Sequence, residues 1–311
     1  MVNFEEISRI VLDNLSEKPV SADRFSTGHC HFVFDVKTES GKKFVVRIAQ
    51  PENGYLLESA VYWSAALKPK GVPLPEIIAS DSSAQLPYLI LERLPGKDLW
   101  QVYAELTKSE KKTLAVEMTR LQTLAATLPK AKSFGYLETY CSDSGCRTWF
   151  EVLLKYLERS RSRIKKTGFF DTEIVDSVEK IAMHYESYFS RIEPIPFFDD
   201  ITTKNVIVNK GKLSGIVDVD WMCFGDCIQT IALTQTALLT SDCETDYIEF
   251  WCDAMNLDAV QRKVLNLYSA MSCVDFISEI GQTFNKEEPL KVDDKKVKKF
   301  FEILDYLLAS V

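Results

Sequence analysis

Residues 197–226 read FFDDITTKNVIVNKGKLSGIVDVDWMCFGD, and the fold turns on how this stretch is understood. Just upstream, Pro194 and Pro196 exclude a continuing helix. Residues 206–208, the turn signal 209–212 and residues 213–219 then read as a β-hairpin. Asp200 and Asn205 precede this hairpin; Asp218 and Asp220 close it. An Asp and an Asn five positions apart can share one loop, and a hairpin can return a second Asp beside them. Carboxylate and amide oxygens suit Mg²⁺, a hard cation that commonly bridges to phosphates. The remaining Asp can orient an attacking hydroxyl and accept its proton.

Outward from the hairpin, the chain divides in character. Residues 3–17 place Phe4, Ile7, Ile10, Val11 and Leu15 on one helical face. Residues 31–36, 43–49, 77–79 and 88–92 are short β-type runs, and residues 54–68 return to helical spacing before Pro73 and Pro75. From about residue 95 helical patterns dominate: a capping box at Thr107 and Glu110 opens a helix to about Leu128. Further helices are expected over 147–165, 172–190, 227–240, 244–255, 258–282 and 293–309. Residues 1–94 therefore read as a small β-rich unit and 95–311 as a larger, mainly helical one.

Composition narrows the function. Of 311 residues, 46% are hydrophobic and 26% charged, which excludes a disordered or fibrous chain. Lys and Arg number 37 against 45 Asp and Glu, a formal net charge of -8, so a general nucleic-acid binder is not expected. No run approaches the ~20 apolar residues of a membrane span, and the N-terminus lacks signal-peptide features. The expected location is cytoplasmic. The eight cysteines fit no common zinc spacing and read as reduced thiols.

The ordered motifs resemble those of the aminoglycoside phosphotransferase family. The quoted block is similar to the family's H-G-D-x-x-x-x-N-V-L-V, G-x-I-D-[FW] and G-D series. Upstream, KKFVVRIA resembles the third strand with its basic phosphate-pairing residue. LLESAVYWSAALKPKGVPLPEIIA resembles the first large helix and its "gvpvP" turn, and PYLILERLPGKDL the fifth strand and hinge. The resemblance implies an α+β, bilobal protein-kinase-like fold, with a nucleotide-binding N-lobe (1–94) and a C-lobe (95–311) carrying the catalytic loop, metal loop and acceptor helices. It implies phosphoryl transfer from ATP or GTP, with Mg²⁺, to a hydroxyl of a small molecule.

Carried over residue by residue, the resemblance makes Asp200 the catalytic base and Asn205 and Asp218 the Mg²⁺ ligands. Arg47 would contact the phosphates, Glu58 would pair with Arg47, and the backbone from Glu92 to Leu94 would meet the adenine. Ser26, Thr27 and Gly28 would form the phosphate loop. Asp226 would be structural, and Asp220 either joins a second metal ion or faces solvent. Three departures stand out: Phe198 replaces the family's His, Arg47 its Lys, and the phosphate loop has one glycine.

Several readings stay open on sequence. The acceptor could be an aminoglycoside or a metabolic amino alcohol, sugar or amino acid. A catalytically inactive, nucleotide-binding regulatory module is the reading of another class. The acidic residues between 199 and 258 are either a solvated face or a groove for a cationic substrate. His29 and His31 read as surface histidines.

Overall fold

A computed structural model describes residues 2–25, 31–284 and 289–311. Ser26, Thr27 and Gly28 of the expected phosphate loop, and His29, lie outside the described residues. Helix α1 (Phe4–Leu15) is opened by a capping box of Asn3 and Glu6. It is followed by β1 (Pro19–Arg24), β2 (Phe32–Thr38) and β3 (Lys43–Ile48). Helix α2 (Gly54–Leu67) precedes β4 (Ile77–Asp81) and β5 (Tyr88–Glu92). These strands form one antiparallel sheet in the order β1-β2-β3-β5-β4.

The two faces of this sheet follow strand alternation. Phe34, Val36, Val46, Ile48 and Ile90 pack against Ile7, Ile10 and Val11 of α1. Leu89 and Leu91 pack with Leu57 and Ala60 of α2 on the opposite face. Arg47 lies between Val46 and Ile48, so it projects to the α2 side. That phase is what sends a cation from the middle of a buried strand toward the rest of the chain.

Beyond the sheet come β6 (Lys97–Asp98), α3 (Leu99–Val102), α4 (Lys108–Ala125) and β7 (Gly135–Leu137). Then follow α5 (Trp149–Thr167), α6 (Glu173–Met183), α7 (Glu186–Phe189) and β8 (Pro196–Phe197). The hairpin is β9 (Val206–Asn209) and β10 (Lys212–Ile216), after which come β11 (Met222–Phe224) and α8 (Ile228–Thr240). Helices α9 (Asp246–Ala254), α10 (Ala259–Ser278) and α11 (Asp294–Ala309) complete the chain. The expected segment 172–190 is thus two helices, and the strand expected over 213–219 ends at Ile216.

Small sheets frame the hairpin. β6 extends it in the order β10-β9-β6, and β11 lies between β7 and β8. Gly96, just before β6, has φ +113, and a Cβ there would stand 2.2 Å from the carbonyl oxygen of Val208. Only glycine lets the chain cross β9 this closely. The main core lies among α4, α5, α8 and α10, and it takes in Trp63 and Leu67 of α2. The Trp63 indole donates to the Leu137 carbonyl (3.0 Å), so α2 is anchored to the helical part as well as to the sheet. No helix among the described residues is long and apolar enough to cross a membrane.

Candidate active site

The hairpin turn explains how distant residues meet. Lys210 and Gly211 both have positive φ (51° and 73°), the backbone of a tight hairpin turn. The Val217 N–H donates to the Asn205 carbonyl (2.9 Å) at the open end, closing the hairpin's base. Asn205 and Asp218 are thereby brought to one place. Asp218 itself has φ +67, a left-handed conformation that Asp tolerates better than most residues. This turn takes the chain out of the strand and leaves the Asp218 side chain 44% exposed.

Asp200 sits on the loop before β9. Asn205 Nδ2 donates to both its carboxylate Oδ2 and its carbonyl, each at 2.9 Å. Thr202 Oγ1 donates to its Oδ1 at 3.1 Å. With Nδ2 so engaged, the Asn205 Oδ1 is the atom available to a cation. The Asp200 side chain remains accessible to solvent, but the surrounding walls and the carboxylates of Asp199 and Asp218 push it up to about 7. Burial likewise lifts Asp199 to about 6, opposed by the Tyr136 hydroxyl.

The loop holding Asp200 is fixed from behind at Phe198. This buried residue stands where the resemblance leads one to expect a His, and its main chain carries the support. Its N–H donates to Gln122 Oε1 (2.9 Å), and its carbonyl accepts from Gln122 Nε2 (2.7 Å) and from the Thr230 hydroxyl. The Trp100 N–H donates to the Thr203 carbonyl (2.8 Å). Neither Gln122 nor Thr230 was marked by the sequence, because one buried polar residue on an amphipathic helix looks like any other.

Arg47 is 7% exposed and its partners differ from those expected. Its Nη2 donates to Asp218 Oδ1 (2.8 Å) and Asp220 Oδ2 (2.7 Å). Burial opposes its charge, but these carboxylates outweigh that and keep it protonated. Glu58 does not meet Arg47: it is exposed and accepts from the Ser82 hydroxyl at 2.6 Å. The cause is helical phase. The α2 residues lining the cavity beside Arg47 are Ala60 and Ser64, and Glu58 lies far round the helix from them.

Asp220 is the buried member of the Asp218–Asp220 pair, with 12% of its side chain exposed. Its Oδ2 also accepts from His31 Nε2 at 2.7 Å, and its carbonyl accepts from the Ser59 hydroxyl of α2. Burial would raise its pKa; Arg47 and His31 outweigh this and hold it below the ordinary value. Asp218 shifts upward, because the cleft walls weigh more than Arg47 does. His31 is therefore a buried partner of the site, correcting the surface reading. Asp220 faces Arg47, not solvent.

At the expected hinge, the Glu92 N–H donates to the Glu76 carbonyl (2.9 Å), and its carboxylate accepts from the Glu76 N–H (3.2 Å). Leu94 is buried over Gly215, and its carbonyl accepts from Arg93 Nη1 (2.9 Å). Asp226 accepts from Tyr188 (2.8 Å), Tyr268 (3.0 Å) and the Ile228 N–H (3.1 Å), an internal structural role.

The other acidic residues of 199–258 have partners of their own. Asp242 pairs with Lys299, Glu244 and Asp246 share Lys111, and Glu249 and Asp253 share Arg262. Asp258 caps α10. Only Asp199, Asp200, Asp218 and Asp220 of that stretch belong to the site. The described residues contain no group of three or more His, Cys, Asp or Glu side chains arranged to hold a metal ion. The donors present, one carboxylate and one amide oxygen, suit a hard cation that keeps other ligands of its own.

A β-sheet unit facing a helical unit, with a gripped Asp on one loop and an arginine-held Asp pair on the next, defines a kinase-like phosphotransferase. The profile of the APH family, described as a phosphotransferase enzyme family, matches residues 24–254. The chain belongs to this family. No curated protein sequence matches it significantly. Among solved structures, it resembles the streptomycin–ATP–APH(2")-IIa ternary complex at 15% identity and TM-score 0.67, covering 100% of this chain and 99% of that one. It also resembles ADP-bound aminoglycoside phosphotransferase APH(2'')-Ib (14% identity, TM-score 0.67, 99% of each chain). The apo form of a thermostable mutant of aminoglycoside phosphotransferase APH(4)-Ia is similar at 16% identity and TM-score 0.66, covering 97% and 96%.

Proposed function

We propose that the protein transfers the γ-phosphoryl group of ATP or GTP to a hydroxyl of a small molecule. The nucleotide would lie against the sheet unit (1–94), and the acceptor against the helical unit (95–311). The observation that carries this reading is the grip of Asn205 on Asp200, with Asp218 returned beside them by the hairpin. Similar folds with ATP, ADP, or AMP-PNP and hygromycin B named in their complexes support it.

Asp200, held by Asn205 and Thr202, orients the acceptor hydroxyl and receives its proton. The acceptor oxygen forms a bond to the γ-phosphorus, the bond to the β–γ bridging oxygen breaks, and the nucleoside diphosphate leaves. Arg47 is aligned by Asp220 toward the phosphates. Mg²⁺, held by Asn205 and Asp218, would supply neutralisation of phosphate charge. Positioning and electrostatics carry the rate. The supported backbone of Phe198 favours this reading over an inactive module, since the loop stays braced without the family's His.

Asp200→Ala tests the reading. Transfer should be abolished while nucleotide binding is largely kept; equal loss of both in a folded variant would contradict the role of Asp200.

A further inference from the structure

A pocket of about 90 Å³, open to solvent on one side, lies between β7, α5, α8 and α10. It reaches the catalytic loop at Asp199, which is one backbone step (~3.8 Å) from Asp200. Its lining is of two kinds. Tyr136 and Tyr156 supply aromatic surface. Gln229, Arg159 and Asp275 supply hydrogen-bonding groups.

One of the two lining carboxylates, Asp275, already has its counter-charges. Asp275 accepts from Arg159 (2.8 Å), Arg163 (3.1 Å) and the Ser160 hydroxyl (3.0 Å). Two arginines thus surround one carboxylate. Glu279, on the same helical face, is pushed toward its neutral form by burial and by Asp275. That leaves Asp199 as the carboxylate facing the pocket without an arginine. A ligand with several ammonium groups would have to desolvate them beside Arg159, with Asp199 the one lining carboxylate not already paired to an arginine, which is costly. The acidic stretch that could have compensated is paired elsewhere.

The lining also holds buried polar atoms with no partner among the described residues, Gln229 Oε1 and the Tyr156 hydroxyl. Hydroxyl groups satisfy such an atom and can also bond the rim of an arginine–carboxylate pair, while a C–H face packs on the tyrosine rings.

We infer that this pocket holds the acceptor, and that the acceptor is an uncharged polyhydroxyl compound, a sugar or polyol, rather than a polycationic aminosugar. This rests on the phosphoryl-transfer reading. The bond changes are those given above, with the hydroxyl nearest Asp199 presented to Asp200.

The test is nucleoside diphosphate release from Mg²⁺–ATP and Mg²⁺–GTP by the full chain. One panel holds neutral monosaccharides and linear polyols, the other streptomycin and hygromycin B. Release should rise with a member of the neutral panel and with neither aminoglycoside. Gln229→Leu should raise the acceptor KM about tenfold, the equivalent of one hydrogen bond, and leave the nucleotide KM essentially unchanged. Arg159→Gln, at a half-exposed position, should give the same split and guards against a folding defect in the first variant. Release driven by the aminoglycosides alone, no response to the neutral panel, or an unchanged acceptor KM in both variants overturns the inference. Thermal stabilisation by nucleotide separates the two failures. If it persists, only the acceptor assignment falls; if it is absent, the phosphoryl-transfer reading falls too.

Discussion

Arg47 of β3 and Asp220 of the loop after β10 meet at 2.7 Å, deep between the sheet and the helical part of the chain. Asp220 is in turn held by His31 and, through its carbonyl, by Ser59 of α2. The basic residue of the third strand is therefore anchored by the loop after β10, and Glu58 of α2 takes no part. Asp218 shares the same guanidinium nitrogen. An incoming cation can draw on Asp218 while Asp220 keeps Arg47 in place.

Asp220→Asn should leave a buried guanidinium half-paired. The expected cost is on the order of 3 kcal/mol of stability, with a raised nucleotide KM and a smaller change in kcat. Glu58→Gln, at an exposed site bonded to Ser82, should change stability by no more than about 0.5 kcal/mol and leave the KM alone. Denaturant melts and initial rates on the two variants give the comparison. A larger KM effect from Glu58→Gln would mean that α2 holds Arg47 during turnover.

Gln122→Leu should destabilise the chain by about 2–4 kcal/mol, since it strips two hydrogen bonds from the buried main chain of Phe198. It should also lower kcat more than it raises either KM, because the loop that loses its brace carries Asp200. Thermal melts and steady-state kinetics read both effects. An active, stable variant would show that Thr230 suffices to hold the loop.

The pH dependence follows from Asp200 and Asp199. An unfolded Asp ionises at ~3.9, whereas in the fold these two do so at about 7 and about 6. Between those values the folded state keeps protons that the unfolded state has lost. The contribution of this pair to stability therefore falls as pH rises from about 4 to about 7. Asp200→Asn should raise the Tm at pH 8 relative to wild type and leave it unchanged at pH 4. The gain is modest, because the side chain is accessible to solvent. Melting curves across this range check it; parallel profiles would show that the carboxyl titrates normally.

Much of this was legible because it rests on local rules. The hairpin signal, the Thr107–Glu110 capping box and β5 (Tyr88–Glu92) lie where spacing and turn residues place them. The strand β1 was missed because Pro19, Ser21, Asp23 and Arg24 give an edge strand little apolar alternation. The strands β6, β7, β8 and β11 have two or three residues each, too few to show a period. At the site, residue types were readable but rotational phase was not. Nothing local says that α2 turns Ala60 toward Arg47 and Glu58 away, nor that the chain leaves the strand at Ile216 and so exposes Asp218 while burying Asp220.

A cation-dependent nucleotide site at Asp218 is the proposal on which the function rests. Thermal stabilisation by ATP and by GTP, each with and without Mg²⁺, tests it in wild type and Asp218→Asn. A ligand at ~100 times its Kd adds roughly 2.7 kcal/mol. At roughly 2–4 °C per kcal/mol for a unit of about 150–250 residues, that shift is readily measured. The expected result is a Mg²⁺-dependent rise in Tm with one nucleotide or both that is lost in Asp218→Asn. No rise with either nucleotide in well-folded wild type, or an equal rise in the variant, would contradict it.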